Sequence, residues 1–173
     1  MELSFIQVLC CLILLIFLDV ERTRISSITL YDQLIVSLPD SIGNLSPLMY
    51  LNVYDCHLTH LPGSIGSLTC LVALFVDNNQ LTHLSESIGN LISLKTLSFS
   101  NNQLSHLPHS IGNLSNLTGL FVNNNQLTLL SDSIGNLAYL THFYVFTNPI
   151  TSSPAGKSDV RRRFERAGLG IVY

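Results

Sequence analysis

The chain has 173 residues, of which 47% are hydrophobic and only 11% are charged, and its formal net charge at pH 7 is −3. This length leaves room for one ordinary domain or one short repeat array, and so small a net charge does not steer a protein toward nucleic acid. Five of the eight basic residues lie at or beyond Lys157, and Lys95 is the only one between Leu38 and Ser152. A basic stripe for nucleic-acid binding is therefore excluded.

Residues 1–24 form an apolar N-terminal segment with more than one interpretation. Leu3–Leu18 is nearly all apolar, and its length fits the core of a signal peptide better than a full membrane span of about 20 residues. The flanks fit a signal poorly, because Glu2 stands where a positive charge is expected and no A-x-A-like cleavage site follows. Arg22 and Arg24 would hold the following residues in the cytoplasm if the segment were an anchor. A signal or anchor in residues 3–18, a helix that caps the first repeat, and a misassigned start or gene fragment stay open.

A unit of 23 residues recurs from Leu38 onward. The copies begin at Leu38, Leu61, Leu84, Leu107 and Leu130, and a degenerate copy of the strand segment precedes them at Ile25–Ile35. A period of this length is the signature of a solenoid whose stacked units share one core. The sequence therefore predicts a repeat array over residues 25–152 with six strand units.

Each unit contains the pattern L-x-x-L-x-L-x-x-N-x-L, as in Leu71–Leu81. The alternation around Leu74 predicts a short parallel strand with apolar side chains inward and their neighbours outward. The Asn column is expected to satisfy backbone groups in a buried turn. Cys56 and Gln33 stand in that column in the first two units, so we expect the N-terminal turns to be weaker.

The remaining half of each unit reads LPxSIGNLxxL and predicts a short helical turn. Pro39, Pro62 and Pro108 are predicted at the first position of that turn, where a missing N–H costs nothing. The glycine of each copy, as in Gly89, indicates a close contact between neighbouring coils.

These motifs resemble those of the leucine-rich repeat family, and the resemblance covers roughly residues 25–152. The LPxSIGNLxxL half is similar to the 23-residue subclass of Ras-interacting intracellular proteins and of plant disease-resistance proteins. The resemblance implies an α/β solenoid, a horseshoe arc with a short parallel sheet on its concave face and helical or 3₁₀ turns on its convex face. It also implies protein binding through the concave face, in intracellular signalling or scaffolding, with small GTPases as one partner class.

Residues 153–173 are predicted to form a C-terminal cap. Val160, Phe164 and Ala167 fall on one face of a basic amphipathic helix, and Ile171 and Val172 can add an edge strand. We interpret its arginines as a solvated surface, with a patch for acidic lipid or protein as the alternative.

The candidate site is the outward face of the strands, where aromatic side chains gather near both ends of the array. Exposed aromatic residues on a rigid sheet are typical anchors of protein interfaces, although they could also merely pack on one another. The predicted partner-binding residues are Tyr31, Tyr50, Asn52, Tyr54, Phe75, Asp77, Ser98, Phe121, Asn123, His142, Tyr144 and Phe146.

The other motifs are weaker. His60, His83 and His106 share one column, which could serve a metal or a pH switch, but a copied polar loop position explains them more simply. Three N-x-[ST] sequons begin at Asn44, Asn113 and Asn116, and they matter only if the chain is exported.

Neither the cysteines nor any other residues indicate a reactive site. Cys10, Cys11, Cys56 and Cys70 form no disulfide framework and no zinc pattern, which weakly favours a reducing compartment. Paired carboxylates, a phosphate-binding loop and a nucleophile with supporting context are all missing from the sequence. The sequence therefore predicts a non-catalytic binding module without a cofactor or metal. It favours a cytoplasmic location, with a membrane-anchored or exported receptor-like protein as the alternative.

Overall fold

Six parallel strands and five 3₁₀ turns alternate along the chain in the computed structural model, which describes residues 25–152. The strands are β1 (Ser27–Tyr31), β2 (Tyr50–Tyr54), β3 (Ala73–Phe75), β4 (Thr96–Ser98), β5 (Gly119–Phe121) and β6 (His142–Tyr144). The 3₁₀ turns are η1 (Asp40–Asn44), η2 (Gly63–Ser67), η3 (Glu86–Asn90), η4 (His109–Asn113) and η5 (Asp132–Asn136), and a short helix α1 (Pro149–Ser152) follows β6.

The strands lie in one open sheet in the order of the sequence. Residues one period apart are paired, as Leu51 is with Leu74 and Leu74 with Leu97. This confirms the predicted solenoid with a parallel sheet on one side and 3₁₀ turns on the other. The predicted N-terminal segment, residues 1–24, and the predicted C-terminal cap, residues 153–173, lie outside the described residues. Between residues 25 and 152, no helix is both long and apolar enough to span a membrane.

The core consists of the apolar columns that the repeat predicts. In the unit from Leu61, the side chains of Ile65, Leu68, Leu71, Leu74 and Val76 are all buried. Their counterparts in neighbouring units are buried as well and form one continuous cluster. Because each fully buried aliphatic side chain contributes roughly 1.5–3 kcal/mol, these columns are the main stabilising contribution to the stack.

Buried asparagines tie each of the last four units to the preceding one. The side-chain oxygen of Asn102 accepts a hydrogen bond from the Leu81 N–H at 3.0 Å, and its amide nitrogen donates to the Val76 carbonyl at 2.8 Å. Asn79, Asn125 and Asn148 make the same pair of bonds in their own units. Cys56 is buried at the equivalent place in the second unit, but its thiol donates only to the Tyr54 carbonyl, at 3.4 Å.

The prediction for the prolines is wrong by one position. Pro39, Pro62 and Pro108 precede their 3₁₀ turns in the extended conformation, as N-cap residues. The reason is that the carbonyl of the cap accepts the first hydrogen bond of the turn, as Pro39 does from the Ile42 N–H at 3.0 Å. A φ fixed near −65° suits this extended cap as well as it suits the turn itself.

The glycines of the convex side allow the coils to approach closely. A Cβ at Gly89 would lie 2.5 Å from the Ser110 carbonyl oxygen, and one at Gly43 would lie 2.6 Å from that of Ser64. Side chains larger than hydrogen do not fit there, which confirms the predicted close contact. Gly135 is the exception, because a Cβ at that position would have none of the described atoms within 4 Å.

Candidate functional site

The outward side chains of the sheet form three columns along the concave face. The first column is Ser27, Tyr50, Ala73, Thr96, Gly119 and His142, and the second is Thr29, Asn52, Phe75, Ser98, Phe121 and Tyr144. The third is Tyr31, Tyr54, Asp77, Ser100, Asn123 and Phe146, which backbone hydrogen bonds keep aligned beyond the strand ends. Every predicted partner-binding residue lies in one of these columns.

The N-terminal aromatic cluster consists of Tyr31, Tyr50, Tyr54 and Phe75. The rings of Tyr31 and Tyr54 are stacked with centroids 5.7 Å apart. Tyr31 is 58% exposed and Tyr50 is 43% exposed. The rings of Tyr31 and Tyr54 therefore pack on one another, and the side chains of Tyr31 and Tyr50 remain exposed to solvent.

The C-terminal aromatic cluster consists of Phe121, His142, Tyr144 and Phe146. Phe121 and Tyr144 are stacked at 5.0 Å, and Tyr144 meets Phe146 edge to face at 6.2 Å. The ring of Phe121 also leans over Gly119, where a Cβ would lie 2.9 Å from its Cε2 atom. Gly119 thus makes room for the ring, a role that the sequence alone did not reveal.

A polar centre separates the two clusters. The Asp77 carboxylate accepts hydrogen bonds at Oδ1 from the Ser98 hydroxyl at 2.5 Å and from the Ser100 N–H at 2.6 Å. The Ser100 hydroxyl in turn donates to Asn123 Oδ1 at 2.8 Å. Ser98 is only 5% exposed, so it forms the floor of the surface and holds Asp77, whereas Asp77 itself is half-buried at the rim.

Asn52 borders the N-terminal cluster and is half-buried. Its amide nitrogen donates to the Thr29 hydroxyl at 3.2 Å. Its Oδ1 atom is buried without a hydrogen-bond partner among the described residues. A buried acceptor of this kind is costly.

The charged side chains of the described residues are almost all acidic. Residues 25–152 contain one lysine, Lys95, and six acidic residues, which gives them a net charge of −5 with neutral histidines. The acidic residues are Asp32, Asp40, Asp55, Asp77, Glu86 and Asp132. Asp77 is the one charged residue in the three columns, and the exposed Asp32 and Asp55 occupy the turns beside them.

Hydrogen bonding lowers the pKa of one carboxyl group, that of Glu86, which lies outside the concave face. Glu86 accepts from the backbone N–H groups of Ser110 and His109 at 2.8 and 3.1 Å. The bond from Ser110 is the main reason that the pKa of Glu86 is below its usual range. Both oxygens of this carboxylate therefore hold the start of the next 3₁₀ turn, η4.

Among the described residues, the histidine column and the two cysteines form neither a metal cluster nor a disulfide. His60, His83 and His106 are exposed, and Nδ1 of each pairs with the hydroxyl of the preceding residue at 2.9–3.1 Å. Among residues 25–152, no three His, Cys, Asp or Glu side chains are grouped to hold a metal ion. Cys56 and Cys70 are free thiols, and burial is the main cause that raises the pKa of Cys56.

Comparisons with known proteins agree with this architecture. A family model described as "Leucine rich repeat" matches residues 71–127. A leucine-rich repeat protein of Leptospira interrogans is 35% identical, with a TM-score of 0.79, and the alignment covers 85% of this chain and 36% of that protein.

Two further solved structures share the fold. An internalin from Listeria monocytogenes is 25% identical with a TM-score of 0.63, covering 70% of this chain and 34% of that one. The Toll–Spatzle complex of Drosophila contains a chain that is 25% identical with a TM-score of 0.67, covering 71% of this chain and 17% of that one. This chain therefore spans about a third or less of each of these three proteins. No curated protein matches it significantly.

Proposed function

We propose that the chain, which has the leucine-rich repeat fold and matches a leucine-rich repeat family model over residues 71–127, is a non-catalytic interaction module that binds a partner protein through its concave face. The observation that carries the proposal is the pair of aromatic clusters, which lie outside the filled core. Tyr31 and Tyr50 are exposed, and Tyr54 and Phe75 are half-buried, although the apolar columns behind the sheet are complete without them. Aromatic side chains in this setting are the residues that most often dominate binding energy.

The wider role that we propose is intracellular signalling or scaffolding in the cytoplasm. The 23-residue unit resembles that of Ras-interacting proteins, which makes small GTPases one partner class to test. The absence of a reactive constellation in the sequence supports a module that acts by binding alone.

The test is partner capture by wild-type protein and by the double variant Phe75→Ala/Tyr144→Ala, quantified by mass spectrometry. Each truncation should cost about 2 kcal/mol, or roughly thirtyfold in affinity, if the rings are anchors. The matched control is Ile92→Ala/Tyr139→Ala, because these side chains are 57% and 65% exposed but lie outside the concave columns. Equal capture by the concave double variant and wild type, with both folded by circular dichroism, would refute the proposal.

A second proposal is a membrane-anchored or exported recognition protein. Asn44, Asn113 and Asn116, which begin the sequons, all have exposed side chains, although the Asn116 amide donates to the Ile92 carbonyl at 2.8 Å. The Toll–Spatzle complex contains a chain with this fold. This supports a recognition role without identifying a partner.

Mass spectrometry of the mature chain after cell fractionation separates the two proposals. An intact Met1 in the soluble fraction, with unmodified Asn44 and Asn113, would refute export. A trimmed N-terminus or a glycan on either asparagine would refute the cytoplasmic proposal.

A further inference from the structure

We propose that the concave face seats a basic side chain, arginine or lysine, of its protein partner between Phe75 and Phe121, with Asp77 as the counter-charge. The proposal rests on the proposed function above and specifies the chemistry of the group that is recognised. It follows from the shape of the second column, the fixed carboxylate and the charge of the array.

Phe75, Ser98 and Phe121 stand in register on three neighbouring strands, β3, β4 and β5. Two strand spacings separate the phenylalanine backbones by about 9.6 Å. Ser98 between them is almost fully buried, because its short side chain turns to Asp77. The two rings therefore border a slot that has a serine as its floor.

The spacing of the two backbones leaves room for one inserted side chain between the rings. A planar guanidinium or an alkyl stem needs roughly 7–8 Å between two flanking groups to contact both. Phe121 is backed by Tyr144 at 5.0 Å, so it can act as a fixed wall on the C-terminal side. Cations on aromatic faces are stabilised by the ring quadrupole.

Asp77 stands at the end of this slot as a fixed carboxylate. Two hydrogen bonds, from the Ser98 hydroxyl and the Ser100 N–H, hold its Oδ1 atom. Within residues 25–152, no hydrogen bond engages its Oδ2 atom. The carboxylate is thus oriented by the protein and retains an oxygen for an external donor.

Charge decides which donor fits. A partner that covers both aromatic clusters necessarily covers Asp77 between them, and a buried carboxylate without a partner is costly. Asp32 and Asp55 add charge of the same sign beside the columns, and no cation stands in them. A basic side chain offsets the desolvation of Asp77, whereas an acidic or purely apolar segment leaves it uncompensated.

The test begins with a random peptide library displayed on phage and selected on the full chain. We expect arginine or lysine to be enriched at one fixed position, with apolar residues nearby. The affinity of a selected synthetic peptide is then measured by calorimetry, together with a copy in which glutamine replaces the basic residue. The variant Asp77→Asn keeps an oxygen that can accept from Ser98 and Ser100, so its fold should survive, which thermal unfolding checks.

Asp77→Asn should weaken the basic peptide roughly tenfold to a hundredfold, as expected for a charge-assisted hydrogen bond. Asp40→Asn removes the same charge from η1, away from the concave face, and should change affinity by less than about twofold. The glutamine peptide should bind wild type and Asp77→Asn with equal affinity.

Four outcomes would overturn the proposal. Selected peptides without a basic residue would assign the face to an apolar partner. Equal effects of Asp77→Asn and Asp40→Asn would show that only the net charge matters. Peptides that lose binding in Phe75→Ala but not in Asp77→Asn would refute the cation slot and leave concave-face binding intact, whereas indifference to both Phe75→Ala and Tyr144→Ala would refute the proposed function as well.

Discussion

Replacement of Asn102 by cysteine tests whether the buried asparagines hold the stack together. The substitution installs the residue that the chain itself carries at position 56. Asn102 makes four hydrogen bonds through its side chain: one from the Leu81 N–H and three to the carbonyls of Val76, Phe99 and Ser100.

Only two of these four backbone groups lose their partner in the variant. The Phe99 carbonyl keeps the Asn125 amide at 2.9 Å, and the Ser100 carbonyl keeps the Asn78 N–H at 3.0 Å. The Leu81 N–H and the Val76 carbonyl are left unsatisfied in the core. At about 1–3 kcal/mol for each group, Asn102→Cys should reduce the free energy of unfolding by about 2–6 kcal/mol.

Urea denaturation followed by far-ultraviolet circular dichroism measures this loss. Gln103→Ala is the control, because that exposed neighbour lies in the same turn, and it should change the free energy by less than about 0.5 kcal/mol. A smaller slope of the unfolding free energy against urea concentration would show that the two sides of this unit no longer unfold as one cooperative stack.

The reciprocal variant Cys56→Asn should stabilise the protein by about 1 kcal/mol, because the new amide N–H can donate a hydrogen bond. The new side-chain oxygen should contribute little. The Ile35 N–H that it would face already donates to the Gln33 carbonyl at 2.8 Å. A loss below about 1 kcal/mol in Asn102→Cys, or an equal loss in Gln103→Ala, would refute the assigned role of the asparagine column.

Two further predictions concern the backbone. Gly89→Ala should destabilise the protein by about 2 kcal/mol or more, because its Cβ would collide with Ser110. A Cβ at Gly135 would have no atom of residues 25–152 within 4 Å, so Gly135→Ala should be neutral; equal urea midpoints of the two variants would contradict this. Thr147 has a φ of 54° and is the one β-branched residue among the positive-φ turns of residues 25–152, so Thr147→Asn should raise the free energy of unfolding by about 1 kcal/mol. Asn78→Thr should lower it by a similar amount, and thermal unfolding of both variants measures the pair.

The period of the repeat predicts which residues share a column but not what their side chains do there. Tyr50 pairs with Ala73, and Phe75 with Ser98, as the 23-residue spacing requires. The apolar columns and the close glycine contacts also follow from the pattern, because burial and steric limits repeat with each unit. Such features are properties of the unit and can be derived from one copy.

The features that were missed depend on differences between units. The hydrogen bonds of Asp77 with Ser98 and Ser100 join residues 21 and 23 positions apart, and they arise only because these three residue types coincide at one place. Their geometry depends on side-chain rotamers that the periodicity does not specify. The proline position was missed for a related reason, since a fixed φ is compatible with both the cap and the first residue of the turn.

The register of the sheet has a consequence for how this surface can change over evolutionary time. Because each unit contacts its neighbours through the same framework, gain or loss of a whole 23-residue copy leaves the core intact. Such an event moves the two aromatic clusters apart or together by one strand spacing, about 4.8 Å. The distance between the two aromatic clusters can therefore vary only in discrete steps of one strand spacing. Point substitutions in the columns change the side chains of individual units without changing that distance.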